Sequence, residues 1–189
     1  LPLLASYYLK KHPGPVVTNL STSMMIDEVA KEKKVSVIRT RVGQSAIIQA
    51  MLQEKAAVAG EGSGGLAFDY FQPAFDAFAA MALFLELLAV EGQKISSLVE
   101  RLPRYHIVKD SLVCPAHRLH TLVAEVKKLY PGVEINQMDG LRIEKKDLWI
   151  HVRASATEPL IRIIAESSSP HRAQTEVDKI MSYLRRLTG

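Results

Sequence analysis

"VVTNLSTSMMIDEVAKEKKVSVIRT", residues 16–40, decides the fold of the first half of the chain. Short β-branched runs at both ends are typical of strands. The polar and apolar mixture between them, "STSMMIDEVAKEKK", predicts a helix with Ser21 or Thr22 as its N-cap. Strands and helices that alternate with short connections predict a parallel or mixed sheet covered by helices.

The same alternation continues on both sides of this stretch. Upstream and downstream, the predicted elements are a helix in "LPLLASYYLKK", a helix in "QSAIIQAMLQE", a strand in "AAVAGE", a long helix from about Pro73 to Ala89, and a helix in "EGQKISSLVERLPRY" that Pro103 stops. The glycine-rich run "GEGSGG" interrupts the pattern. The first domain is therefore predicted to be an α/β domain over residues 1–103.

Strand signals dominate the second half of the chain. Five strand candidates and two helix candidates follow one another closely: "RYHIVKDSLV", the helix "PAHRLHTLVAEVKKLYPG", "VEINQMDG", "LRIEK", "DLWIHVRAS", "LIRIIAES" and the closing helix from "SPHRAQ" onward. Closely spaced strands with flanking helices predict a compact α+β domain with an antiparallel sheet and two helices. We expect this second domain over residues 104–189.

Composition and charge exclude several classes of protein. Hydrophobic residues make up 48% of the chain and charged residues 23%, ordinary values for a soluble globular protein. The most apolar segment, "AFAAMALFLELLAVEG", carries Glu86 and is shorter than the roughly 18 to 20 residues that cross a bilayer. The single Cys114 can form no intramolecular disulfide, which fits a reducing compartment. These features predict a soluble, cytoplasmic protein without a secretory signal.

The net charge of +4 raises the possibility of nucleic-acid binding, so its distribution matters. Residues 1–104 hold 11 Lys or Arg and 10 Asp or Glu, and residues 105–189 hold 13 and 10. A nucleic-acid surface needs clustered cations, often beside stacking aromatics. An excess this evenly spread favours an ordinary solvated surface. Steeply salt-dependent binding to random DNA would be the sign of the opposite interpretation.

The first loop that could carry chemistry is "AVAGEGSGG", residues 57–65. It places Glu61 and Ser63 after a predicted strand, at the sheet edge where ligands bind in open α/β folds. Its glycines, Gly64 among them, let a ligand approach the backbone closely. A carboxylate and a hydroxyl suit sugar hydroxyls better than a phosphate, which Glu61 would repel. An ordinary strand-to-helix turn is the alternative.

The second such loop is "RASATEP", residues 153–159. Arg153 supplies a planar cation suited to bidentate phosphate contacts. Ser155 and Thr157 add hydroxyl donors, and the N–H groups of the loop could line an anion site. Glu158 would have to point away from an anion or anchor the loop. The alternative is a plain turn between strands.

Taken together, the two loops resemble those of a known family, the α-D-phosphohexomutases. "GEGSGG" resembles its sugar-binding loop, and "RASATEPLIRIIAES" resembles its phosphate-binding loop. The segment "PGPVVTNLSTSMMIDEVAKEKKVSVIRTRVG" is similar to the one that precedes the sugar-binding loop. The resemblance covers essentially the whole chain in the family's order and spacing. It implies sugar contacts from Glu61, Ser63 and Gly64, together with the phosphate contacts Arg153, Ser155, Thr157 and the backbone of Ala156.

The family implies an enzyme of four domains that interconverts hexose 1-phosphates and 6-phosphates. A phosphoserine in the first domain donates its phosphoryl group to give a bisphosphate intermediate, and an Asp-rich loop in the second domain binds Mg²⁺. This chain has neither a Ser-His-Asn-Pro loop nor an Asp-Gly-Asp-Gly-Asp loop. The resemblance therefore implies the third and fourth domains, which would bind substrate, partner the missing N-terminal domains, and have no catalytic residue or mutase activity alone. The alternative function is a non-catalytic sugar-phosphate binding module.

Two positions depart from the family pattern. Many members have His where Gly65 stands, and some have His where Gln44 stands. Both departures leave the preferred hexose open.

Four further features invite a functional interpretation, and each has a plainer one. His117 and His120 lack acidic or Cys partners nearby, which disfavours a metal site. His151 shares a strand face with Arg153 and is interpreted as a packed or solvent-facing residue rather than a phosphate contact. Cys114 is interpreted as structural. The Met and Phe residues of the 75–85 helix fall at the spacing of core positions.

Overall fold

The computed structural model describes residues 1–188, which separate into two compact units, residues 1–104 and residues 105 onward. The first unit is an α/β domain with one four-stranded mixed sheet, and the second is an α+β domain with a five-stranded antiparallel sheet. The predicted fold class is confirmed. Among the described residues, no helix combines the length and the apolar character needed to cross a bilayer.

The first unit contains four strands and five helices. The strands are β1 (Val16–Asn19), β2 (Val37–Thr40), β3 (Val58–Gly60) and β4 (Leu66–Phe68), and the helices are α1 (Pro2–Tyr8), α2 (Met25–Lys33), α3 (Gln44–Gln53), α4 (Ala77–Glu91) and α5 (Ile95–Glu100). The strand order is β2-β1-β3-β4. Strand β1 runs parallel to β2 and to β3, and β4 runs antiparallel to β3. The carboxyl ends of β1, β2 and β3 therefore meet at one edge of the sheet.

Alternating residues of these strands fill two cores, one on each face of the sheet. Val16 and Val58 pack with buried residues of α1, α2 and α4. Val17 and Ala59, their neighbours along the strands, pack with Ile47 of α3 on the opposite face. Successive side chains of a strand point to opposite faces, so a strand in a sheet covered on both sides is buried at every position, whether the residue is apolar or, as for Thr18 and Asn19, polar. All four residues of β1 are accordingly buried.

The second unit contains five strands and two helices. The strands are β5 (His106–Val113), β6 (Ile135–Asn136), β7 (Leu141–Lys145), β8 (Leu148–Ala154) and β9 (Leu160–Ser167), and the helices are α6 (Leu119–Glu125) and α7 (Pro170–Thr188). The order is β5-β9-β8-β7-β6 with antiparallel pairing throughout. The core side of α7 carries Ala173, Val177, Ile180 and Leu184 at the spacing of one helix face.

Several local predictions need correction. Helix α2 begins at Met25, and neither Ser21 nor Thr22 caps it, although the Ser23 hydroxyl accepts a hydrogen bond from the Met25 N–H at 3.1 Å. Strand β4 was not predicted, because three residues after a glycine-rich loop give no recognisable period. The helix predicted for "PAHRLHTLVAEVKKLYPG" is α6 with a 3₁₀ turn on each side.

Helix α4 also differs from its prediction. Phe78 is 81% exposed and Met81 is 52% exposed, so neither occupies the core position that its spacing predicted. The helix is apolar on nearly every side, so periodicity alone could not identify the buried face. That face is marked by Leu83 and Leu87, which pack in the core of the first unit.

Candidate functional site

The glycine-rich loop of the first unit is a tight turn that joins β3 to β4. The Glu61 N–H donates to the Gly65 carbonyl at 3.0 Å, and the Gly64 N–H donates to the Glu61 carbonyl at 3.1 Å. Gly64 has φ +106°, a conformation that other residues rarely adopt. The loop is therefore a turn between antiparallel strands, not the strand-to-helix turn that was the alternative.

The Glu61 carboxylate is held through both of its oxygens. The Ser63 hydroxyl donates to Oε1 at 2.6 Å, and the Asn19 side-chain amide donates to Oε2 at 3.0 Å. Each carboxylate oxygen can accept more than one hydrogen bond. Glu61 can therefore accept further donors, such as sugar hydroxyls, without releasing these two contacts.

A second glycine of the loop is required by close packing. A side chain at Gly65 would collide with the ring of Phe75, whose Cε2 would lie 2.5 Å from the added Cβ. Gly65 is one of the two departures from the family pattern. The structure gives a local reason for this residue: Phe75 fills the space that a larger side chain would need.

The candidate phosphate loop lies in the second unit, between β8 and β9. The Ser155 N–H donates to the Leu160 carbonyl at 2.8 Å, and the Leu160 N–H donates to the Glu158 carbonyl at 2.8 Å. Pro159 is tied to the neighbouring edge strand, because its carbonyl accepts from the Cys114 N–H at 3.1 Å. Backbone hydrogen bonds therefore hold the base of the loop together, and its tip, residues 156–159, is exposed.

Arg153 lies at the base of this loop, near the end of β8. Its Nε is buried and has no hydrogen-bond partner among residues 1–188, and NH1 makes a single 3.3 Å contact with the Ala154 carbonyl. No carboxylate of the described chain lies within 4 Å of its guanidinium. Burial, the largest cause, and the positive charge of Arg162 on β9 both lower the pKa of this guanidinium, and the negative charge of Asp139 partly counteracts them. An anion bound here would offset both effects.

The tip of the loop presents further donors. The Thr157 N–H lies 3.4 Å from the Ser155 hydroxyl oxygen. Within residues 1–188, no protein acceptor takes the N–H groups of Ala156 and Glu158, and both residues are exposed. N–H groups without protein acceptors, beside a half-buried guanidinium, form an arrangement that can hold an anion.

Glu158 does not oppose that arrangement. Its carboxylate accepts a hydrogen bond from Arg162 at 2.7 Å, and this ion pair spans the loop and the following strand. Of the two expectations for Glu158, that it points away from an anion or that it anchors the loop, this ion pair fits the second. The pair is largely exposed, so its contribution to stability is small.

His151 is a core residue rather than a phosphate contact. Its side chain is fully buried, and its Nε2 lies 2.6 Å from the Asp139 carbonyl. A carbonyl only accepts, so Nε2 carries the proton. Burial lowers the pKa of His151 to about 4; the hydrogen bond to Asp139 and the charge of Asp139 raise it in part, and the charges of Arg142 and Arg153 lower it.

This low pKa predicts that acid weakens the second unit. The ordinary His pKa of 6.5 applies to the unfolded chain, so between pH 6.5 and about pH 4 the unfolded chain binds a proton that the folded unit does not. Its free energy of unfolding should fall with decreasing pH in this window, by up to about 1.4 kcal/mol per pH unit. Urea denaturation followed by the fluorescence of Trp149 measures it.

The matched controls for this prediction are two Gln variants. His151→Gln should remove this component of the pH dependence, whereas the same substitution at the exposed His171 should leave it in place. An unchanged pH dependence in His151→Gln would show that another group is responsible.

Cys114, His117 and His120 were the other residues that invited a functional interpretation. Cys114 is buried in the core of the second unit, and burial raises the pKa of its thiol. His117 lies in a 3₁₀ turn and His120 in α6. Among residues 1–188, no group of three or more His, Cys, Asp or Glu is arranged to hold a metal ion. The Mg²⁺ that the family resemblance implies was expected at a loop of the second domain, which this chain does not contain.

Both units match models of known protein domains. Residues 1–105 match the model described as phosphoglucomutase/phosphomannomutase, alpha/beta/alpha domain III. This match covers more than half of the chain. The chain belongs to the phosphoglucomutase/phosphomannomutase family. Residues 113–182 match that family's C-terminal domain, in agreement with the predicted third and fourth domains.

Known members of the family are similar over nearly the whole chain. A phosphoglucomutase/phosphomannomutase of Thermococcus kodakarensis is 35% identical over 175 residues, which cover 91% of this chain and 38% of the relative. A probable phosphoglucosamine mutase of Methanopyrus kandleri is 33% identical over 181 residues, which cover 94% and 40%. The chain thus spans less than half of the length of the curated relatives it matches.

A solved structure agrees on the fold. A phosphoglucomutase/phosphomannomutase family protein from Burkholderia thailandensis superimposes with a TM-score of 0.82 at 23% identity, covering 100% of this chain and 42% of that protein. At this level of identity the likeness supports the arrangement of helices and strands alone.

The structure places the predicted site residues at two connections, between β3 and β4 and between β8 and β9, including the end of β8. Glu61, Ser63 and Gly64 lie together in the first unit, and Arg153, Ser155, Ala156 and Thr157 lie together in the second. Asn19 was missed, although it contacts Glu61. Its only signal in the sequence is a polar side chain at the carboxyl end of a buried strand, a position that favours ligand contacts in open sheets.

Proposed function

We propose that this chain is the substrate-binding half of a phosphohexomutase that interconverts hexose 1-phosphate and hexose 6-phosphate through a bisphosphate intermediate. The observation that carries the proposal is the half-buried guanidinium of Arg153, which has no carboxylate partner in the described chain and lies beside exposed loop N–H groups. Membership of the family supports it. In this proposal Arg153, Ser155, Thr157 and the Ala156 N–H hold the substrate phosphate, and Glu61, Ser63 and Gly64 hold sugar hydroxyls.

Each loop would contribute by positioning and by charge. Phosphoryl transfer requires a precisely placed phosphoryl group and neutralisation of its negative charge more than it requires covalent chemistry from the protein. The planar fork of Arg153 can donate two parallel hydrogen bonds to one phosphate. The negative charge of Glu61 repels phosphate, but its carboxylate oxygens accept hydrogen bonds from sugar hydroxyls. The two loops therefore favour different parts of a hexose phosphate.

The chain alone should bind without turnover. The family's mechanism uses a phosphoserine loop, and no loop of that kind occurs in the 189 residues. The relatives are more than twice as long, so they have room for it elsewhere. We propose that the nucleophile and the magnesium loop come from such preceding domains.

A mutase assay coupled to oxidation of glucose 6-phosphate tests the proposal, together with calorimetric titration of glucose 1-phosphate. We expect no turnover above the blank and a binding signal that inorganic phosphate competes away. Turnover that scales with the amount of chain and disappears in Arg153→Ala would contradict the division between binding and catalysis. Equal binding of glucose and glucose 1-phosphate would contradict the phosphate role.

A further inference from the structure

Asn19, the last residue of β1, connects two loops at the carboxyl edge of the first unit's sheet. It is only 3% exposed, and its side-chain oxygen accepts from the Ser21 N–H at 2.8 Å and from the Thr22 hydroxyl at 3.1 Å. A backbone N–H can only donate, so the atom facing Ser21 must be the amide oxygen. The amide NH₂ group therefore faces Glu61 and donates to its Oε2 at 3.0 Å.

The backbone that carries Asn19 is itself held in place. One guanidinium nitrogen of Arg39 donates to the Asn19 carbonyl at 3.1 Å and to the Thr22 carbonyl at 3.0 Å. The other terminal nitrogen pairs with Asp27 at 2.6 Å. Because the guanidinium is planar and rigid, these three contacts fix the loop after β1 relative to β2 and α2.

The glycine loop is tied to β1 at a second point. The Thr18 hydroxyl donates to the Gly60 carbonyl at 2.8 Å, and it lies 2.7 Å from the Thr22 hydroxyl. Each hydroxyl has one proton, so when Thr18 donates to Gly60, Thr22 donates either to Thr18 or to the Asn19 side-chain oxygen and not to both. Thr18 thus fixes the backbone that enters the loop, and Asn19 remains the contact from β1 to the Glu61 carboxylate.

We propose that Asn19 is the positioning residue that fixes the Glu61 carboxylate, and thereby the part of the affinity that comes from the sugar. This inference rests on the proposed sugar-binding role of Glu61. Asn19 and Ser63 donate to one carboxylate oxygen each, so the group cannot rotate without losing a charge-assisted hydrogen bond. Glu61 is then held in one orientation before the substrate arrives, and binding costs less entropy.

Asn19→Asp disrupts this contact and keeps the acceptor side of the residue. The aspartate keeps the oxygen that accepts from Ser21 and Thr22, so the turn after β1 is retained, but it replaces the donor to Glu61 by a like charge. We expect the affinity for glucose 1-phosphate to fall about 10-fold, the scale of one lost charged hydrogen bond, with unchanged affinity for inorganic phosphate. Asn136→Asp, which keeps the acceptor for the Met138 N–H, is the matched control.

Amide hydrogen exchange and chemical shifts of the unliganded chain test the positioning step without any sugar. In Asn19→Asp the amides of residues 61–64 should exchange faster and shift, and in Asn136→Asp they should not. Unchanged loop amides in Asn19→Asp would overturn the inference. If they change while the wild-type chain binds glucose 1-phosphate no better than inorganic phosphate, the positioning contact stands and the sugar role of Glu61 fails.

A third variant covers the case in which Asn19→Asp does not fold. Glu61→Gln alters a partly exposed side chain and leaves Asn19 intact. The side-chain amide signals of Asn19 should shift in this variant, because the amide would face a neutral group in place of a carboxylate. Signals identical to those of the wild-type chain would overturn the contact itself.

Discussion

Arg153→Ala should weaken the binding of glucose 1-phosphate by about 100-fold, the scale of a lost bidentate contact between a guanidinium and a phosphate. The substitution removes a cation at the base of the phosphate loop whose guanidinium makes no direct ion pair among the described residues. The fold should persist, because this guanidinium makes just one weak contact within the described protein. Calorimetric titration measures the change in affinity.

Two further variants separate charge from geometry. Arg153→Lys keeps the charge but loses the planar fork, so we expect an intermediate loss of about 10-fold. Arg185→Ala removes an arginine from the last turn of α7 and should leave the affinity unchanged. If Arg153→Ala binds glucose 1-phosphate as tightly as the wild-type chain, Arg153 has no role in holding the phosphate.

Gly140→Ala should lower the free energy of unfolding of the second unit by about 3 kcal/mol, through backbone strain and overpacking together. Gly140 has φ +73°, and an added Cβ would collide with the Val152 carbonyl oxygen and lie 2.7 Å from the Arg153 Cβ. Both atoms belong to β8, so relief would require moving the strand that carries Arg153. Urea unfolding followed by the fluorescence of Trp149, the only Trp of the chain and a buried residue of β8, measures it.

Gly132→Ala is the control that separates strain from collision. Gly132 has almost the same φ, +72°, but no atom lies within 4 Å of the position of an added Cβ. Its substitution should therefore cost about 1 kcal/mol, from the backbone conformation alone. If both variants lose the same free energy of unfolding, the collision with β8 does not contribute to the loss.

The sequence predicted most of the elements because local pattern and tertiary environment agree in them. The β-branched run of β1 is buried, that of β2 is partly buried, and the spacing of Ala173, Val177 and Ile180 identifies the buried face of α7. Prediction failed where the pattern of apolar residues does not show which face of an element is buried. Helix α4 is apolar on nearly all sides, so Phe78 could not be assigned to solvent from its spacing.

The residue types of the candidate site could be proposed from the sequence, but the neighbouring residues that hold them in place could not. Glu61 and Arg153 were identified from charge and neighbouring glycine or hydroxyl residues. The contact between Asn19 and Glu61 joins residues that are far apart in the sequence, so no local pattern reveals it. The collision that excludes a side chain at Gly65 depends in the same way on the position of Phe75.

An amide NMR titration of the chain with glucose 1-phosphate, with glucose as the uncharged reference, tests the central claim most directly. We predict saturable shifts centred on residues 153–157 with glucose 1-phosphate and none there with glucose. Shifts at residues 61–64 would add support for the sugar contacts of that loop. Absence of any saturable shift at residues 153–157 in the folded chain would contradict the assignment of this loop as the phosphate-binding element.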